Sequence, residues 1–138
     1  MLARLLVVGV ALVLAGCPMK PSPPPVLGTW SGTVTEGDLT YGLTMILNEV
    51  AVGEVAGTAV YSGALSCTGT LTLLGGKKTR WYYREHVDDT GACADGGRIE
   101  VVAQGETVEW AWYRTDADAT PDATATLTRD EQRLAGSD

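Results

Sequence analysis

A single histidine, no surplus of basic charge, no apolar run of twenty residues and no stretch with helical spacing mark this chain by what it lacks. With His86 alone, a serine or cysteine nucleophile would have to take that one imidazole as its base, and no Gly-x-Ser-x-Gly elbow presents a serine to it. Zinc wants three or four convergent ligands, which one histidine and three cysteines do not offer here. Ten Lys and Arg against 17 Asp and Glu give a formal charge of −7, which disfavours nucleic acid and leaves no basic patch for anionic lipid. The apolar run from Leu5 to Ala15 falls short of the roughly 20 residues that span a bilayer. Internal repeats are absent as well. The chain therefore reads as a non-enzyme, with no catalytic residues, no metal and no cofactor.

What is present begins with an address. Arg4 supplies a positive start, Leu5 to Ala15 carries no charge, and the small residues Ala15 and Gly16 precede Cys17, as a cleavable signal requires. Leu14-Ala15-Gly16-Cys17 resembles the lipobox of bacterial lipoproteins. That resemblance implies a diacylglyceryl group on the Cys17 thiol, cleavage before Cys17 and acylation of the new amine. Each buried CH₂ contributes about 0.8 kcal/mol, so two or three chains hold a small domain where one would not. The expected location is the cell envelope, on a lipid-anchored membrane surface. With Pro18 rather than Asp after Cys17, it is the outer membrane if the host has two. The proline-rich stretch that follows favours extended polyproline II and works as a spacer.

The organisation expected is a signal peptide over 1–16, a lipidated Cys and linker over 17–26, one domain over 27–130 and a disordered tail over 131–138. Removing 1–16 leaves 122 residues with a charge of −8, enough for one modest core. With Cys17 lipidated, Cys67 and Cys93 remain, and an even pair in an exported domain most simply forms one disulfide.

From Leu27 onward the dominant period is two, the mark of half-buried strands. Inward rows run through Trp30 and Val34; Leu39 to Leu47; Val55 to Tyr61; Leu65 to Leu73; Trp81, Tyr83, Glu85 and Val87; Ile99 and Val101; Val108, Trp110 and Trp112; and Ala123, Ala125 and Leu127. Threonines fill many of the outward positions. Eight strands joined by Gly- and Asp-bearing turns point to an all-β antiparallel up-and-down barrel, with a two-sheet β-sandwich as the alternative. In a meander, the connection after the fifth strand returns to the end where the fourth began, which brings Cys93 towards Cys67.

Gly28-Thr29-Trp30 on the first strand and Leu127-Thr128-Arg129 on the last resemble the paired signature of calycin barrels, which include lipocalins, avidins and bacterial metalloprotease inhibitors. The resemblance implies that Trp30 closes the barrel floor and that Arg129 packs across its indole, a contact worth about 0.5 to 2 kcal/mol. The wider pattern, from Gly57-Thr58-Ala59-Val60-Tyr61 through Cys67-Thr68-Gly69-Thr70-Leu71 to Glu85 and Cys93, is also similar to uncharacterised bacterial exported domains.

The remaining chemistry is sparse. Strand parity sends Glu85 and His86 to opposite faces, so they cannot converge on one atom, and His86 reads as an exposed strand residue. Glu85 shares parity with Trp81 and Tyr83; either it grips a ligand inside the barrel or it pairs internally with Arg129, and the ion pair is the commoner arrangement for a buried charge. Gly75-Gly76-Lys77-Lys78-Thr79 looks like a phosphate loop, but Leu71 stands where its first Gly belongs and no helix follows, so it is expected to be a hairpin turn. Asp116, Asp118 and Asp122 lack the bidentate Glu of a calcium loop, since Leu127 occupies that position.

Two function classes survive. One is a membrane-anchored binding module. Four tryptophans of inward parity are expected to fill the interior, which ranks a protein partner on the loops or outer face above a small ligand. The other is a structural or assembly lipoprotein that docks on an envelope complex; a calycin-type protease inhibitor is a variant of the first.

Overall fold

The computed structural model describes residue 16, residues 23–88 and residues 91–130. Cys17, the signal segment apart from Gly16, most of the linker and the tail lie outside the described residues. Eight strands follow one another: β1 (Gly28–Glu36), β2 (Leu39–Leu47), β3 (Val55–Gly63), β4 (Cys67–Lys77), β5 (Arg80–Val87), β6 (Arg98–Gln104), β7 (Thr107–Tyr113) and β8 (Ala123–Arg129). Each pairs antiparallel with its sequence neighbour, and β8 returns to pair with β1, so the sheet closes into a barrel rather than splitting into a sandwich.

Alternation drives this closure. In β2, Tyr41, Leu43, Met45 and Leu47 are buried, whereas Thr44 and Ile46 between them are exposed. In β8, Ala123, Ala125 and Leu127 point in and Thr124, Thr126 and Thr128 point out. Fully burying a large apolar side chain contributes about 1.5 to 3 kcal/mol, so a register slip of one residue in any strand would forfeit several such terms.

Two bulges depart from the expected alternation. Register shifts between Val55 and Gly57, which leaves Val55 60% exposed and turns Ala56 inward at 1%. An extra residue on one side of a ladder reverses parity, which is why Val55 does not join the core. A second shift between Leu73 and Gly75 lets β4 continue to Lys77, so Gly75 to Lys77 are strand and the turn is Lys78-Thr79 alone. Leu65 precedes β4 and is half-buried in its loop.

The barrel has two unlike ends. The floor carries the entering chain and the β2–β3, β4–β5 and β6–β7 turns; the mouth carries the connections β1–β2, β3–β4, β5–β6 and β7–β8. At the floor, Trp30 lies opposite Arg129 across the β1–β8 seam, and the guanidinium sits 4.3 Å from the indole centroid. Arg129 Nη1 donates to the Leu27 carbonyl at 2.8 Å, and Trp30 Nε1 donates to the Val26 carbonyl at 2.8 Å. Gly28 has a φ of +123°, which favours glycine, and a Cβ there would displace the Arg129 guanidinium from its place at the floor.

Candidate functional site

At the mouth lies a cup of about 460 Å³ among Glu36, Tyr41, Tyr61, Glu85, Trp110 and Trp112. Leu39, Leu65 and Arg114 complete its rim, and the Cys67–Cys93 disulfide forms part of its wall. The expectation of a filled interior holds only below this cup. Trp30, Trp110 and Trp112 are buried, but Trp81 is half-buried near the floor and donates to the Lys78 carbonyl at 3.1 Å. Because the tryptophans are distributed along the barrel axis, their rings do not plug the mouth.

Glu85 is the centre of the cup. It is 3% exposed, and Tyr61 Oη donates to its Oε2 at 2.6 Å. The two residues stand on β3 and β5, with β4 between them. Gly69 on β4 makes the contact feasible, because a Cβ there would lie 2.7 Å from Glu85 Cγ and block the path. Burial raises the Glu85 pKa above its ordinary value, while hydrogen bonds from Tyr61 and Trp112 lower it and the charge of Asp95 raises it further. The Tyr61 hydroxyl is itself held well above its ordinary pKa by burial and by Glu85. Tyr83, deeper in the wall, is pushed up to about 12 by burial. Tyr41 donates to Glu36 Oε2 at 2.8 Å, and burial and that carboxylate raise its pKa.

The expected internal pair between Glu85 and Arg129 does not form. Arg129 is committed to Trp30 and Leu27 at the floor, whereas Glu85 lines the mouth, so the barrel holds the two groups at opposite ends. Among the described residues no cation is paired with Glu85. Trp110 carries a second uncompensated group: it lines the cup at 2% exposure, and its indole N–H is buried without a hydrogen-bond partner.

Cys67 and Cys93 are joined, with Cα atoms 6.5 Å apart, and the bridge ties the β5–β6 connection to the start of β4. His86 is on the outer face with a side chain 60% exposed; Asp88 accepts at 2.7 Å from Nε2 and raises the imidazole pKa, helped by Asp95. Asp116, Asp118 and Asp122 hold the β7–β8 connection: Asp116 accepts two hydrogen bonds from Arg84, Asp118 accepts from the Thr115 N–H and Asp122 from the Arg114 N–H.

Parity alone identified Glu85, Trp110 and Trp112 as inward residues. Tyr41, Tyr61 and Glu36 were not singled out as site residues, although all three sit at strand ends that converge on the mouth. Compared with protein-family models, curated proteins and solved structures, the chain gives no significant match.

Proposed function

We propose that this chain is a membrane-anchored envelope lipoprotein whose barrel is a non-catalytic binding module, with the mouth cup as its small-ligand site. The observation that carries this reading is Glu85, a buried carboxylate without a cationic partner among the described residues, facing a cavity of a size typical for small-molecule sites. A buried carboxyl group without a cationic partner is costly to ionise, and a carboxyl so perturbed that faces a cleft marks a candidate ligand site. A filled interior was the ground for ranking a protein partner first, and the cup removes that ground. The calycin-like signature accords with this reading, since an eight-stranded barrel has room for one small ligand.

The lipid anchor follows from Leu14-Ala15-Gly16-Cys17. The described chain enters β1 at the floor, the end opposite the mouth. The test is the intact mass of full-length protein extracted from the membranes of a bacterial host. Loss of residues 1–16 with acyl groups on Cys17 is expected, and a thermal-shift screen of the same material should find small solutes that stabilise it. An unmodified Cys17 would remove the anchor, and a screen without hits would remove the cup as a ligand site.

A further inference from the structure

The chemistry of the cup narrows its ligand. Of the charged groups lining it, Glu36 and Glu85 are carboxylates and Arg114 is the one guanidinium, which faces the Trp112 ring at 6.0 Å. The connections around the mouth add Asp38, Asp88, Asp95, Asp116, Asp118 and Asp122; of these Asp116 is paired with Arg84, and Asp88 and Asp95 with His86. A rim in which acidic groups outnumber basic ones, above low-dielectric walls, concentrates cations. Inside, a carboxylate has about four lone-pair sites, and Tyr61 and Trp112 occupy two at Glu85, which leaves acceptor capacity for a donor from the cup. Aromatic walls from Tyr41, Tyr61 and Trp110, the latter two with ring centroids 6.4 Å apart, suit an apolar or cationic body.

From the juxtaposition of Glu85 and the aromatic wall, we infer that the cup takes a small organic ammonium ion. This rests on the cup being a ligand site. An anion would be repelled by Glu36 and Glu85, and a neutral alcohol would leave Glu85 without its counter-charge.

Three probes share a 4-hydroxyphenyl body and differ in charge: tyramine is cationic, tyrosol neutral and 4-hydroxyphenylacetate anionic. Titrated calorimetrically into the full mature chain, tyramine should bind at least about tenfold more tightly than tyrosol, with 4-hydroxyphenylacetate weakest. The tyramine affinity should fall as salt rises, because the rim attraction is screened. Glu85→Gln should erase the gap between tyramine and tyrosol while leaving tyrosol affinity within about twofold. Glu36→Gln, at the rim, gives a milder version of the same loss and guards against a folding defect in the buried variant. Tyrosol or the anion binding as well as tyramine, or a charge preference that survives in Glu85→Gln, would overturn the ammonium assignment and leave the cup as a ligand site. None of the three binding, together with a screen without hits, would overturn both.

Discussion

Glu85 concentrates the energetics of the mouth in one side chain. Its folded pKa lies above the ordinary value of 4.5, with burial as the largest cause. The native state therefore holds the proton more tightly than the unfolded chain. The stabilisation linked to that proton is complete below about pH 4.5 and is lost as pH rises through the folded value. Tyr61 and Trp112 hydrogen-bond to this carboxylate and Asp95 opposes its charge, so those three groups set where the loss ends. Glu85→Gln removes the titration. Its stability relative to wild type, from urea melts between pH 4 and 8, is expected to improve steadily with pH; a pH-independent difference would contradict the burial argument. Inward parity made Glu85 legible in the sequence, but its partner was not. The bond to Tyr61 crosses β4 and depends on Gly69 lacking a side chain, a relation between three strands that no local pattern encodes. Arg129 offered the one inward cation to a linear reading, and only the two-ended geometry of the barrel shows it to be spoken for at the floor.

Among the elements, the β1–β8 seam and the disulfide do different work. At the seam, Arg129 combines its stacking on Trp30 with a hydrogen bond to Leu27, and Asp130 N–H donates to the Thr29 carbonyl at 2.8 Å beside it. Arg129→Ala should cost about 1 to 2 kcal/mol and lower Tm by roughly 5 to 10 °C, with Arg129→Lys in between because an ammonium lacks the planar fork. Equal Tm values for the three proteins would mean that the backbone ladder closes the barrel unaided. The Cys67–Cys93 bridge closes a loop with a sequence separation of 26 residues, for which chain entropy gives about 3 to 4 kcal/mol. Cys67→Ser with Cys93→Ser should lower the urea midpoint accordingly, and it should also weaken ligand binding, since the bridge forms part of the cup wall. A midpoint unchanged on removal of the bridge would contradict the entropy account. Strand existence and order were readable because period-two alternation persists through all eight segments and the cysteine spacing agrees with a meander. Bulges were not, since the parity reversal at Val55 and Ala56 arises from pairing with β4 rather than from either residue's own preference.

At the scale of the whole molecule, the barrel is polar in its design: aromatic and aliphatic packing seals the floor, and acidic connections surround an open mouth. The described chain enters β1 at the sealed end, opposite the cup. The four tryptophans report on both poles at once, with Trp30 and Trp81 towards the floor and Trp110 and Trp112 in the cup. An ¹⁵N spectrum of the mature protein in lipid nanodiscs resolves one indole N–H signal for each of these four residues. Addition of tyramine is predicted to move the Trp110 signal most and the Trp112 signal next, leaving Trp30 and Trp81 in place; shifts confined to Trp30 and Trp81, or an unchanged spectrum at saturating tyramine, would contradict a ligand-binding cup at the barrel mouth.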